Sequence, residues 1–198
     1  MNTESVITAT TARWSTLLLL ALLVLTGCAS MNKKDCLEGN WHKAGYKDAI
    51  NGKTTGRLNA HIKACAKHGV AANEPVYHDG YESGLALYCV AENGTGLGYR
   101  NKDYRGICPA HQEAEFLEHY IRGLLVARNR LNHHYWDVDH ALDTERFRRA
   151  RSTDAQSREH INRRINNLSN KRDDLRSRRI SINRKIERWR SHLRTTSS

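Results

Sequence analysis

The chain reads as all-α, with a small disulfide-tied helical domain followed by long helices forming a hairpin or an extended coiled-coil-like arm. Three observations predict this. Between Cys36 and Ala127, glycines recur beside aromatic residues with a small residue four positions on, a spacing that shares one helical face. Beyond residue 30 there are four cysteines, an even number that suits two staples. After Pro109 no proline follows and Gly123 is the only glycine, while apolar residues return every three or four positions as far as Leu193.

The chain opens on an apolar run from Trp14 to Leu25 and then Thr26-Gly27-Cys28. Twelve helical residues reach about 18 Å, against roughly 30 Å of hydrocarbon. The run therefore reads as a cleaved signal, residues 1–27, and not as a stable membrane span. Small residues followed by cysteine give the shape of a bacterial lipoprotein signal. Cys28 is the expected lipidation site and residues 28–35 a lipidated linker, with the acyl chains as membrane anchor. Ala29 in place of aspartate points to the periplasmic face of the outer membrane.

Cys36, Cys65, Cys89 and Cys108 then lie in an oxidising compartment. Three connectivities are open, and Cys36–Cys65 with Cys89–Cys108 closes successive loops without crossing. His61, Cys65 and His68 share a helical face that could suit zinc, but the paired spacing of structural zinc sites is missing. Disulfides are the expectation.

The first glycine copy is Trp41, Gly45 and Ala49, the second Tyr77, Gly80 and Gly84, and the third Tyr120, Gly123 and Ala127. Glycine inside a helix costs about 1 kcal/mol against alanine, so three such placements point to close helix packing. Short helices are expected over Leu37–Ile50, Thr55–Lys67 and Tyr77–Val90, with turns at Asn51-Gly52, His68-Gly69 and Asn73 to Pro75. Asn93 to Tyr99 reads as a glycine-rich loop clamped by the second disulfide. No Lys-Ser/Thr follows it to make a phosphate cradle.

Trp41, Gly45-Tyr46-x-Asp48, Tyr77-x-x-Gly80-Tyr81-x-x-Gly84-Leu85-x-x-Tyr88-Cys89 and Tyr104-x-Gly106-x-Cys108-Pro109 resemble a family of small Gram-negative lipoproteins, known as domain of unknown function 2799. The resemblance covers about residues 36–125 and implies an envelope lipoprotein with a helical, cysteine-containing domain. It implies no reaction, cofactor or catalytic residue.

Residues 126–198 form the expected basic helical arm. Leu117, Ile121, Leu124, Leu131, Tyr135, Val138 and Leu142 make one amphipathic seam. Leu168, Leu175, Ile182 and Trp189 make a second, spaced by seven, with Arg172 and Arg179 interrupting it. The two seams are out of phase. The mismatch falls in a polar stretch where Thr153 and Gln156 have capping-box spacing, so a turn near 150–154 would fold the helices into a hairpin, while the absence of glycine and proline there leaves a continuous arm open. Self-association through the second seam is a further expectation of a heptad pattern.

Residues 144–198 carry 17 Lys plus Arg against 6 Asp plus Glu, whereas residues 1–143 balance. Behind a lipoprotein signal, nucleic acid is not the expected partner. Peptidoglycan, lipopolysaccharide or an envelope protein is, met by Arg172, Arg176, Arg178, Arg179, Arg184, Lys185, Arg188 and Arg190. A second reading is periplasmic metal binding by His133, Asp137 and His140, which share a helix face. No catalytic constellation and no cofactor motif is found, so an enzyme is not expected.

Overall fold

The computed structural model describes residues 30–196, and all regular structure within them is helical. The signal segment and Cys28 lie outside the described residues. Helix α1 (Lys33–Leu37) is capped by Asn32, whose side chain accepts the Asp35 N–H at 2.9 Å. Gly39, at φ +66°, separates it from α2 (Trp41–Ile50), so the single helix expected over Leu37–Ile50 begins later. A short 3₁₀ turn (Thr55–Arg57) leads into α3 (Leu58–Ala66). Asn73 caps α4 (Glu74–Tyr88), with Pro75 in the first turn where no backbone donor is needed.

Helix α5 (Ala91–Tyr99) corrects the expected glycine-rich loop. Two of its three glycines, Gly94 and Gly98, face another backbone. A Cβ on Gly98 would stand 2.1 Å from the Tyr120 carbonyl oxygen, and one on Gly94 would stand 2.7 Å from that of Phe116. Tertiary approach overrides the low helix propensity of this stretch.

Helices α6 (Ala110–Arg151) and α7 (Ala155–Thr196) contain 42 residues each and pack as a hairpin. The turn is capped by Asp154, whose carboxylate accepts the Ser157 N–H at 2.6 Å, and not by the Thr153 capping box. That bond holds the Asp154 carboxyl below its usual range. Helix α6 runs unbroken through residues 125 and 126, so the cysteine-containing part and the arm share one helix.

The expected disulfides are both present, Cys36–Cys65 and Cys89–Cys108. They expose an internal duplication. Cys-x3-Asn-x4-Gly-Tyr occurs at residues 36–46 and again at 89–99, and Cys-x11-Tyr-x2-Gly at 65–80 and again at 108–123. The contacts repeat with the spacing. A Cβ on Gly45 would meet the Tyr77 oxygen at 2.0 Å and the Tyr81 nitrogen at 2.8 Å, while one on Gly98 would meet the Tyr120 oxygen at 2.1 Å and the Leu124 nitrogen at 2.8 Å. A Cβ on Gly80 would meet the His42 oxygen at 2.0 Å, as one on Gly123 would meet that of Thr95 at 2.2 Å. So α2 on α4 and α5 on the start of α6 are two versions of one glycine-to-glycine crossing.

The core is continuous. Tyr77 and Tyr120 are fully buried at the two crossings, and Leu142, Ile182 and Ile186 are fully buried along the hairpin. Rings connect the parts: Tyr88 stacks on Phe116 at 5.5 Å, Phe116 meets Tyr104 at 4.8 Å, and Tyr104 meets Trp189 at 5.0 Å.

Candidate functional site

Two regions of the fold gather polar chemistry. The first is the hairpin. Its seam arginines are absorbed by α6: Arg172 lies 3.8 Å from Asp139, and the Arg179 guanidinium sits 4.7 Å over the Tyr135 ring. Lys185 donates to the Asn101 carbonyl at 3.0 Å and side chain at 2.9 Å, and pairs with Asp103 at 2.6 Å. These three cations hold α7 onto the fold.

Arg178 and Arg190 make exposed pairs with Asp174 and Glu187 on their own helix. Arg176, Arg184 and Arg188 are exposed, and they have no ion pair or hydrogen bond among the described residues. The turn adds positive charge that the seam pattern did not single out. Residues 145–164 include Arg146, Arg148, Arg149, Arg151, Arg158, Arg163 and Arg164 against three carboxylates. One of those is Glu145, 3% exposed, whose Oε1 accepts from Arg148 at 3.2 Å and pairs with Arg164 at 3.0 Å. Beside it Phe147 stands 59% exposed under the Arg151 guanidinium.

His133, Asp137 and His140 are all exposed on α6. Among the described residues, no group of three His, Cys, Asp or Glu is placed to hold a metal ion. The alternative zinc face at His61, Cys65 and His68 is ruled out as read, because Cys65 is in a disulfide.

The second region is a cavity of about 130 Å³ between α1, α2 and α3, lined by Ser30, Met31, Asp35, Asn40, Lys43, Ala44, Lys47, Asp48 and His61. At its base, Asp48 Oδ2 accepts His61 Nε2–H at 2.7 Å and the Tyr77 hydroxyl at 2.9 Å. Burial, and then the Asp48 carboxylate, push the Tyr77 phenol well above its ordinary range. Tyr81 is raised to about 12, mainly by burial, and its hydroxyl donates to the Lys53 carbonyl at 2.6 Å.

His61 is 3% exposed, and its Nδ1 has no partner among the described residues. The Ser30 hydroxyl is likewise buried and unpaired. The duplication shows how the second copy differs. At the positions of Asp48, His61 and Tyr77 it has Asn101, Tyr104 and Tyr120. There the Tyr104 hydroxyl is satisfied, donating to Glu113 at 2.8 Å and accepting the Cys108 N–H at 2.9 Å.

Both crossings fall inside one stretch of the chain. Residues 40–125 match the family described as Protein of unknown function (DUF2799). The DUF2799 match starts one residue ahead of α2 and ends just past Gly123, so it takes in the duplicated glycine contacts and stops within α6. Asp48, His61 and Tyr77 lie inside it, and α7 lies outside. No curated protein and no solved structure was found to match the chain.

Sequence reading had Asp48 within a motif and His61 as a zinc candidate, but did not join them. The signal was available in the doubled cysteine spacing, since aligning the copies sets Asp48 and His61 against Asn101 and Tyr104.

Proposed function

We propose that this protein is an outer-membrane-anchored periplasmic lipoprotein whose basic helical hairpin contacts an anionic component of the cell envelope, peptidoglycan in the first instance. The observation that carries the reading is the excess of arginine on a hairpin whose structural cations are already spent on the fold. With Arg172, Arg179 and Lys185 packed inward and the turn arginines engaged within the hairpin, Arg176, Arg184 and Arg188 remain for an outside partner.

Two further features support it. The disulfides point to an oxidising, extracytoplasmic compartment. No helix among the described residues is long and apolar enough to cross a membrane, so attachment falls to the Cys28 signal motif.

The test is co-sedimentation of the full chain with purified sacculi at low and moderate salt. Deleting α7 would unseat Ile182, Ile186 and Trp189 from the core, so the informative variant reverses surface charge alone. Arg176→Glu, Arg184→Glu and Arg188→Glu together should abolish salt-sensitive pelleting while the circular dichroism and melting temperature hold. Pelleting unchanged by the triple variant, or absent from the parent chain, overturns the reading.

A further inference from the structure

We infer that the cavity beside Asp48 and His61 is a binding site for a phosphate-bearing group. The argument starts from the unpaired nitrogen. A carboxylate only accepts, so the 2.7 Å contact puts a proton on His61 Nε2 and turns the other ring nitrogen away from Asp48. Buried polar atoms are normally satisfied, and where one is not, a ligand is a standard reason. Here the two residues that carry such atoms, His61 (Nδ1) and Ser30 (Oγ), both line the same cavity.

The charge at the entrance selects the ligand. Lys43 and Lys47 lie one turn apart on α2 and are exposed, so both ammonium groups can swing over the opening. Asn40, whose amide donates to Glu38 at 2.9 Å, has a second amide N–H. Two carboxylates share the lining: Asp35, engaged by the Asn32 amide at 2.7 Å, and Asp48, which accepts from His61 and Tyr77. With Nε2 turned to Asp48, Nδ1 is the ring atom left to meet a ligand. Two ammonium groups, one ring nitrogen, one hydroxyl and one amide form a set suited to a tetrahedral oxyanion. A volume of about 130 Å³ admits such a group, and many-fold more than a single water.

The duplicated half supports a specific role. The equivalent of His61 is Tyr104, which completes its hydrogen bonds within the fold. Only the first copy keeps a buried imidazole with a spare nitrogen, so the pair is not needed to make this crossing.

The phosphate has two sources, a lipid headgroup or a free phosphate. Ser30 is two residues from Cys28, so an acylated chain would hold the cavity beside a bilayer. This inference is independent of the hairpin reading and is tested at a different place. Full-length chain in mild detergent is labelled with ¹⁵N-histidine, and the His61 ring resonances are followed during titration with inorganic phosphate. A parallel arm uses phosphatidylcholine nanodiscs, whose zero net charge gives the arginine hairpin no bulk attraction.

Saturable movement of the His61 Nδ1 resonance with inorganic phosphate, weakened about tenfold or more by Lys43→Ala with Lys47→Ala, establishes the site for phosphate at large. The same movement in nanodiscs alone, abolished by that double variant, assigns it to a lipid phosphodiester. Both lysines are exposed, so the variant tests binding without threatening the fold. No movement in either arm, or movement that the double variant leaves unchanged, overturns the proposal.

Discussion

At Gly45, Gly80, Gly98 and Gly123 even a methyl group has nowhere to go, because the nearest atoms belong to the facing backbone and cannot rotate away. Gly45→Ala or Gly98→Ala should each cost about 3 kcal/mol, at the upper end of overpacking effects, read as a fall in melting temperature. Gly56→Ala, in an open turn with its nearest atom at 3.5 Å, should stay within about 0.5 kcal/mol. The tyrosines make a second prediction at this scale. Tyr77, Tyr81, Tyr88, Tyr104 and Tyr120 are all raised, first by burial, with Tyr81 and Tyr120 reaching about 12. An unfolded phenol titrates near 10. The stabilising preference for neutral tyrosine is therefore complete below about pH 10 and is lost as pH rises from there toward 12 and beyond. Phenolate absorbance from these five should appear together with loss of helix, and independent titration near 10 with the fold intact would refute this.

Among the elements, the long helices were the most legible. Their apolar steps gave two helical seams and the phase mismatch marked where a turn could fall, while the lack of glycine and proline left a continuous arm open; the structure makes the turn, at Ser152–Asp154. What the pattern left open was the partner of the second seam. Asp139 and Tyr135 settle that, meeting Arg172 and Arg179 from within the same chain. Helix α5 was illegible for the opposite reason: three glycines in seven residues look like a loop until the facing glycine on α6 is known. Glu145 carries a prediction here. Glu145→Gln leaves Arg148 and Arg164 beside a neutral group, and should cost about 1–3 kcal/mol. The loss belongs to the end of the hairpin. Amide exchange near residues 145–164 should accelerate while the α2–α4 crossing stays protected.

For the whole molecule, composition and cysteine spacing carry the class and both staples, while the duplication is hard to see in the sequence alone. The reason is physical. The two copies differ in the stretch between Gly-Tyr and the second cysteine, where ten fewer residues separate Tyr99 from Cys108 than Tyr46 from Cys65, and their helix faces carry different chemistry. The contact geometry survives that divergence because backbone-to-backbone approach constrains only the glycines. The candidate cavity was illegible too, since it depends on which half kept the histidine. Each staple should matter alike. Loops spanning 29 and 19 residues differ little in closure entropy, so Cys36→Ser with Cys65→Ser, or Cys89→Ser with Cys108→Ser, should each cost about 3 kcal/mol in chemical denaturation.

Helix α6 is also a lever. Its fulcrum is the Gly98–Gly123 contact, with the Cys89–Cys108 bond pinning the chain just ahead of its short end. From Gly123 to the turn at Ser152 the helical rise gives a long end of about 43 Å, stiffened by α7 along its side. A tilt of about 5° at the glycine contact therefore displaces the arginine-rich turn by about 4 Å, roughly the width of a side chain. The reach of the hairpin is thus calibrated at a point where no side chain is present to wear or repack.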